Sequence, residues 1–257
     1  MKVARTIREL RLAVPAGRRG LVPTMGAFHE GHLSLMRAAR AECELVVVSL
    51  FVNPAQFGVG EDLQRYPRDE ARDEQLAADV GVDVLFVPSF AEMYPDGFGT
   101  WVEVEVSGGE GGARPGHFRG VATVCLKLFN IVRPDVAFFG QKDAQQVEVL
   151  RRLVRDLNLD LHLRVLPTVR DADGLALSSR NDYLTAAERE QALLLPRALE
   201  TGRAAPDPVA ATRAALNGLE PDYVELLHVG GATLLTAAAR VGSTRLIDNV
   251  VLEGELT

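Results

Sequence analysis

The stretch Pro23-Thr24-Met25-Gly26-Ala27-Phe28-His29-Glu30-Gly31-His32 decides how this chain is read. It follows a short apolar run, Arg19 to Pro23, and precedes a helical pattern over His32 to Ala41. A strand that turns directly into a helix is half of a parallel βαβ unit. In an open α/β sheet, ligands bind at such carboxyl ends of strands. The helix start offers unpaired N–H groups and the positive end of a dipole, a natural seat for phosphate. Gly26 and Gly31 permit a tight turn and close approach of backbone to ligand.

Outward from this turn, strand and helix patterns keep alternating. Leu45 to Val52 reads as a buried central strand, Pro67 to Val80 as a helix with Pro67 in its first turn, and Val82 to Val87 as a strand. Trp101 to Val106 alternates apolar and polar residues, which predicts a half-exposed edge strand, and the glycine-rich Gly108 to Gly120 predicts a loop. Val121 to Val132 is a helix stopped by Pro134, followed by strand Asp135 to Phe139, helix Ala144 to Leu157 and strand Leu161 to Val169. A polar turn, Arg170 to Asn181, then leads to Ala-rich helices and two late strands, Tyr223 to Val229 and Arg245 to Leu252, with a local linker at Gly202 to Pro208. The pattern predicts an α/β fold: a doubly wound parallel sheet over residues 1–169 and a smaller α+β domain over 170–257, divided near Val169.

With 28 basic against 35 acidic residues, a net charge of −7, the chain has no general basic field for a nucleic-acid backbone. A phosphate bound here must be held by a local set of amides, His, Lys and Arg, which favours a small nucleotide. Cys43 and Cys125 are far apart without CxxC spacing and suit reduced thiols in a reducing compartment. The longest apolar stretch, Leu45 to Val52, is far short of the roughly 20 residues that span a bilayer, and no signal-peptide run follows the N-terminus. A cytoplasmic protein with no membrane partner is expected.

Four clusters carry chemistry. His29 and His32 stand one helical turn apart, so both rings can face one phosphate chain and stabilise charge as pyrophosphate departs. A neighbouring polyphosphate would favour their cationic forms. No third ligand at suitable spacing supports a zinc site. Gly140-Gln141-Lys142-Asp143 lies at a second strand-to-helix junction, where Lys142 places a compact positive charge on an α-phosphate and Asp143 caps the helix or positions a phosphate-bound metal. Gln146, one turn further, faces the same crevice. Leu177-Ser178-Ser179-Arg180, downstream of Val169, sets two hydroxyls and a guanidinium as a mobile-looking phosphate clamp at a hinge or lid. Asn53 and Gln56, after the central strand, are amides suited to reading a hydroxyl and a carboxylate beside Pro54 and Phe57. Taken singly, each cluster also reads as an ordinary cap, turn or solvated surface.

In this order the four segments, with Tyr66-Pro67-Arg68 and Gly116-His117-Phe118-Arg119-Gly120-Val121, resemble the pantothenate synthetase family, over roughly Val22 to Asn181. The resemblance implies a Rossmann-like nucleotidyltransferase domain with a smaller C-terminal domain, acting as a cytoplasmic homodimer. It implies that pantoate, ATP and β-alanine are the substrates, with Mg2+ accompanying ATP and its protein ligands undetermined. Pantoate's carboxylate would attack the α-phosphate of ATP, and β-alanine would then displace AMP from pantoyl adenylate. By that resemblance Met25, Gly26, Ala27, Phe28, His29, Glu30, Gly31 and His32 form the ATP loop, with His32 as general acid. Gly140 to Asp143, Val169 and Leu177 to Arg180 are further ATP contacts, Gln56 binds pantoate beside the β-alanine site, and Gln146 binds pantoate. Three positions depart from the family's usual residues: Phe28 for Leu, Gln141 for Glu and Leu177 for Met.

Two other readings stay open on sequence. A nucleotidylyltransferase would share the His-x-x-His turn but has no need of Asn53, Gln56 and Gln146. A catalytically idle nucleotide-binding regulator would be expected to lose Lys142 or a motif histidine, and none is lost.

Overall fold

The computed structural model describes residues 1–256. It begins with β1 (Lys2–Ala4), α1 (Ile7–Ala13), β2 (Arg19–Thr24), α2 (Glu30–Glu42) and β3 (Leu45–Leu50). Then come α3 (Glu70–Asp79), β4 (Val84–Phe86), α4 (Phe90–Met93), α5 (Gly109–Ala113), α6 (His117–Val132) and β5 (Val136–Gly140). They are followed by α7 (Ala144–Asp156), β6 (His162–Leu166), α8 (Ala186–Ala192), α9 (Leu194–Arg203), α10 (Pro208–Ala215), β7 (Glu220–Val229), β8 (Ala232–Val241) and β9 (Thr244–Glu253). No described helix is long and apolar enough to cross a membrane.

The first compact unit comprises Met1–Glu105, Gly116–Phe139 and Val149–Arg164. Its six-stranded sheet has the order β1-β4-β3-β2-β5-β6, with parallel pairing of β1 with β4, β4 with β3, β3 with β2, and β2 with β5. Val46, Val47 and Val48 all have zero exposure. Because successive strand side chains point to opposite faces, both faces of the sheet are covered, which is the doubly wound arrangement. Strand order runs outward in opposite directions from β2 and β5, so the topological switch point lies between them. β2 leads into the Met25–His32 turn and β5 into Gln141–Asp143.

Several sequence-based boundaries change. Trp101 to Val106 forms no strand: the Val102 N–H donates to Thr123 Oγ1 on α6 at 3.0 Å, and the Arg119 guanidinium lies 4.6 Å from the Trp101 ring centroid. The alternation there reflects one side packing on a helix, without a neighbouring strand to supply a ladder. The glycine-rich segment contains α5, and α6 begins at His117. The helix expected from Pro67 begins at Glu70, because Asp69 accepts the Arg72 N–H and caps it. β1 and α1 were not anticipated; Thr6 and Glu9 form a capping box that starts α1.

The second unit comprises Val106–Pro115, Gly140–Glu148 and Val165–Thr257. The sequence places one boundary near Val169, whereas the units divide at Arg164 and the second unit also includes two earlier segments. Side-chain bonds bind those segments in: Gln145 spans the Ser107 and Gly108 carbonyls and the Gly111 N–H, and Tyr223 donates to Glu110. Glu110 also pairs with Arg245, which in turn pairs with Asp222, each at 2.5 Å. Burial and the Glu110 carboxylate push the Tyr223 phenol well above its ordinary range.

Strands β7, β8 and β9 form an antiparallel sheet with β8 in the centre. This central strand was missed, because Ala237, Ala238 and Ala239 favour helix intrinsically while all three are wholly buried here. Small side chains let α9 pack directly on the sheet. Gly202 on α9 allows the closest approach to α10: an added Cβ would lie 2.0 Å from Thr212 Oγ1 and 2.6 Å from the Pro208 carbonyl oxygen. Gly202→Ala is therefore expected to lower unfolding free energy by about 1–3 kcal/mol through overpacking, read as a lower urea midpoint at unchanged slope.

Candidate active site

The turn after β2 is shaped by a carboxylate the sequence did not single out. Asp73, 1% exposed on α3, accepts the Ala27 N–H at Oδ2 and the Phe28 N–H at Oδ1, both at 2.7 Å. Burial pushes its carboxyl above the ordinary range, and the two amides draw it back. Its local signal was faint: Asp73 shares with Ala77 the buried face of an otherwise charged helix. Its partners lie 45 and 46 residues away. Gly26 and Ala27 both have positive φ, 89° and 53°.

His29 and His32 cap the start of α2 reciprocally. His29 Nδ1 accepts the Gly31 N–H at 3.1 Å, and His32 Nδ1 accepts the His29 N–H at 3.3 Å. The ring centroids are 4.1 Å apart, and the Phe28 ring packs 5.6 Å from His32. An accepting Nδ1 carries no proton, so this geometry holds each ring as the neutral tautomer protonated at Nε2. The cationic form expected from the sequence would put a proton on both Nδ1 atoms and break both caps. The expected row of backbone amides for phosphate is likewise altered: those of Ala27, Phe28, His29 and Gly31 have donors committed inside the protein. Glu30 is exposed and paired with Arg37, whose hydrogen bond holds its carboxyl below the ordinary range.

Beside this turn in the first unit, Asn53 is 1% exposed and fully used. Its Oδ1 accepts from Tyr94 Oη at 2.9 Å and from the Ala55 N–H, while Nδ2 donates to Gln56 Oε1 at 3.1 Å and to the Gly120 carbonyl at 3.2 Å. Two acceptor and two donor positions exhaust an asparagine amide. Gln56 Nε2 donates to Met25 Sδ at 3.2 Å, and His117 Nδ1 lies 2.8 Å from the Gln56 carbonyl oxygen. The Asn53 and Gln56 amides and the Met25 end of the histidine turn are thus one connected patch. Gly120 lets α6 touch it: an added Cβ would sit 2.3 Å from the Ala55 carbonyl oxygen. Burial pushes the Tyr94 phenol up to about 12, so it stays a donor to Asn53.

In the second unit, Gln141–Asp143 is a single 3-10 turn after Gly140. Asn249, 2% exposed on β9, clamps it: Nδ2 donates to the Gln141 and Lys142 carbonyls, both at 2.9 Å, and Oδ1 accepts from Gln141 Nε2 at 3.0 Å. Lys142 Nζ lies 3.7 Å from Asp143 Oδ2, with the lysine side chain 19% exposed. Gln146 is half-buried on the first turn of α7. Asn249 was missed because it comes from a late strand with no local signal.

The segment Val169 to Asn181, which the sequence reads as a mobile-looking clamp, carries several bonds within the second unit. The Leu177 N–H reaches the Val169 carbonyl at 3.0 Å, and Arg170 bridges to Ala176. Arg170 forms a two-pronged pair with buried Asp248 at 2.7 and 2.9 Å, and Arg189 binds Asp171 and Asp173. Ser178 Oγ accepts the Arg180 N–H at 3.3 Å, starting a 3-10 turn with Ser179 buried.

Against known proteins, a family profile described as Pantoate-beta-alanine ligase matches residues 2–251. A pantothenate synthetase of Pelotomaculum thermopropionicum is 50% identical over 98% of this chain and 99% of its own, and one of Roseiflexus castenholzii is 53% identical over 98% and 100%. Among solved structures, pantothenate synthetase from Thermus thermophilus matches with TM-score 0.95 and 44% identity, covering 99% of this chain and 100% of that one. Pantoate-beta-alanine ligase from Francisella tularensis, complexed with beta-gamma ATP and beta-alanine, matches with TM-score 0.86 and 36% identity, covering 99% of each. With the family profile and the identity both running through nearly the whole length, the chain belongs to the pantoate–β-alanine ligase family.

Proposed function

We propose that the chain condenses pantoate with β-alanine at the expense of ATP, giving pantothenate, AMP and pyrophosphate. The observation that carries this reading is the reciprocal cap, which sets two imidazoles side by side at the carboxyl end of β2, beside the switch point of the sheet. A pantoate carboxylate oxygen bonds to the α-phosphorus of ATP, and the bond from that phosphorus to the bridging oxygen breaks, releasing pyrophosphate. The β-alanine amine then adds to the acyl carbon, loses its proton, and expels AMP as the acyl carbon–oxygen bond breaks.

Each unit carries its own share of the groups assigned here. His29 and His32 donate from Nε2 to phosphate oxygens as charge builds on the departing pyrophosphate, without needing a net positive charge. Lys142, Ser178, Ser179 and Arg180 bind phosphate oxygens, and Met25 to Gly31, Gly140, Gln141, Asp143, Val169 and Leu177 complete the nucleotide contacts. Gln56 and Gln146 hold pantoate, and Asn53 serves by orienting Gln56. Mg2+ would accompany ATP and offset phosphate charge, and the carboxylate of Asp143 is a hard oxygen donor that would suit it. Composition and the family resemblance support a cytoplasmic homodimer.

The deciding experiment supplies ATP and pantoate without β-alanine. Pyrophosphate release that requires pantoate, followed by AMP release only on adding β-alanine, is the expected outcome, whereas nucleotide left attached to product would indicate a simple nucleotidylyltransferase. For the lysine, Lys142→Ala is expected to weaken ATP binding by only about 1–2 kcal/mol yet slow adenylation on the order of 10²–10³-fold, as when a donor acts chiefly in the transition state. A variant with normal single-turnover rates would remove Lys142 from the mechanism. Replacing His29 by asparagine separates capping from chemistry, since asparagine is an equally good N-cap. Its stability should stay within about 1 kcal/mol of the parent while adenylation falls by about 10²-fold or more.

A further inference from the structure

We infer that Asp73 is a positioning residue for adenylation, an internal anion that holds the histidine turn in its working shape. The inference rests on the adenylating role proposed above, but its structural basis lies in the turn alone. Two consecutive N–H groups flanking positive-φ residues form a concave nest, the kind of backbone shape that ordinarily receives an external phosphate or carboxylate. Here the anion is built in. Asp73 reaches from α3 with one oxygen on Ala27 and the other on Phe28, each at 2.7 Å.

The turn needs such a hold because Ala27, with φ at 53°, is in a left-handed conformation that its Cβ resists. Gly26, at φ 89°, adopts the same region freely, and an added Cβ there would lie 3.0 Å from Asp73 Oδ2 and 3.3 Å from Leu50. The carboxylate therefore fits closely against the turn. Charge-assisted bonds from two amides offset the strain at Ala27. Two residues on, His29 opens α2 and its ring accepts the Gly31 N–H. If Ala27 relaxed to an ordinary conformation, His29 would enter the helix at another angle and the paired rings would lose their relation. Asp73 thus acts on the reacting phosphates only through His29 and His32. Because its charge already fills the nest, incoming ATP is met by the imidazoles, and the turn is formed before ATP arrives.

The first measurement uses the unaltered chain without ligands: amide hydrogen exchange at Ala27 and Phe28. Strong protection of both is expected, and exchange at the rate of an open loop would overturn the inference. The second uses Asp73→Asn, which keeps the volume but turns an NH2 group toward one of the two amides. Single-turnover adenylation should slow by about 10- to 100-fold, the scale of a small misplacement of catalytic groups, while the KM for pantoate stays within about twofold. Adding Ala27→Gly to that variant should recover part of the rate, because glycine adopts the left-handed conformation unaided. Because glycine at that φ would also restore lost stability, recovery counts for positioning when the rate rises while the urea midpoint stays that of the single variant. An unimpaired Asp73→Asn enzyme, or no recovery in a double variant whose urea midpoint matches the single, would sink the proposal. If the unaltered chain gave no pantoate-dependent pyrophosphate, the ligase reading would fail while the exchange result still judged Asp73. Should Asp73→Asn not fold, the exchange measurement decides alone.

Discussion

A parallel sheet covered on both faces leaves its polar backbone only its ends. With Val46 to Val48 and Leu21 to Val22 wholly buried, no ligand can approach the first unit's sheet through a face. Reactive side chains have to be carried on the turns that leave the carboxyl edges, and the switch between β2 and β5 opens space where successive crossovers diverge. Every group assigned to phosphate or pantoate in the first unit sits on a turn after β2 or β3, at that margin. The apolar interior is the reason these candidate groups sit on the turns.

Within those turns, most hydrogen-bonding capacity is spent on the protein itself. Asn53 has no amide position left, Asn249 uses both ends of its amide on one turn, and the histidines devote one nitrogen each to the backbone. Such saturation fixes orientation: a ring whose Nδ1 caps a helix, and a glutamine held at its oxygen by Asn53 and at its nitrogen by Met25, are each held in one pose. The structure thus trades the number of available donors for certainty about where the remaining ones point, which is what electrostatic preorganisation requires.

Much of this was legible in the residues, for a physical reason. Strands buried on both faces read as continuous β-branched runs, and strand-to-helix turns bearing glycine and histidine are local in sequence, so the parallel sheet and the motifs of the first unit could be placed directly. What escaped depended on distant partners. Asp73 looks like one more charge on a solvated helix until α3 is packed, and Asn249 gains meaning only when β9 meets the lysine turn. The alanine-rich β8 opposed its own propensity, since tertiary burial outweighed a preference of less than about 1 kcal/mol per residue. Trp101 to Val106 showed the reverse failure: a period-two pattern with a helix, not a strand, beside it. The spacing of the two histidines was enough to bring their rings together, but which ring nitrogen faces the backbone is something spacing carries no information about.

The pairing of Gln141 with Asn249 makes each position's chemistry depend on the other's. With glutamate at 141, the amide Nε2 that Asn249 Oδ1 receives here would be replaced by an oxygen. Asparagine could turn over to meet it, but only by withdrawing Nδ2 from the Gln141 and Lys142 carbonyls. The two side chains are therefore coupled: a change at one narrows what the other can do while still holding the carbonyls of the lysine turn.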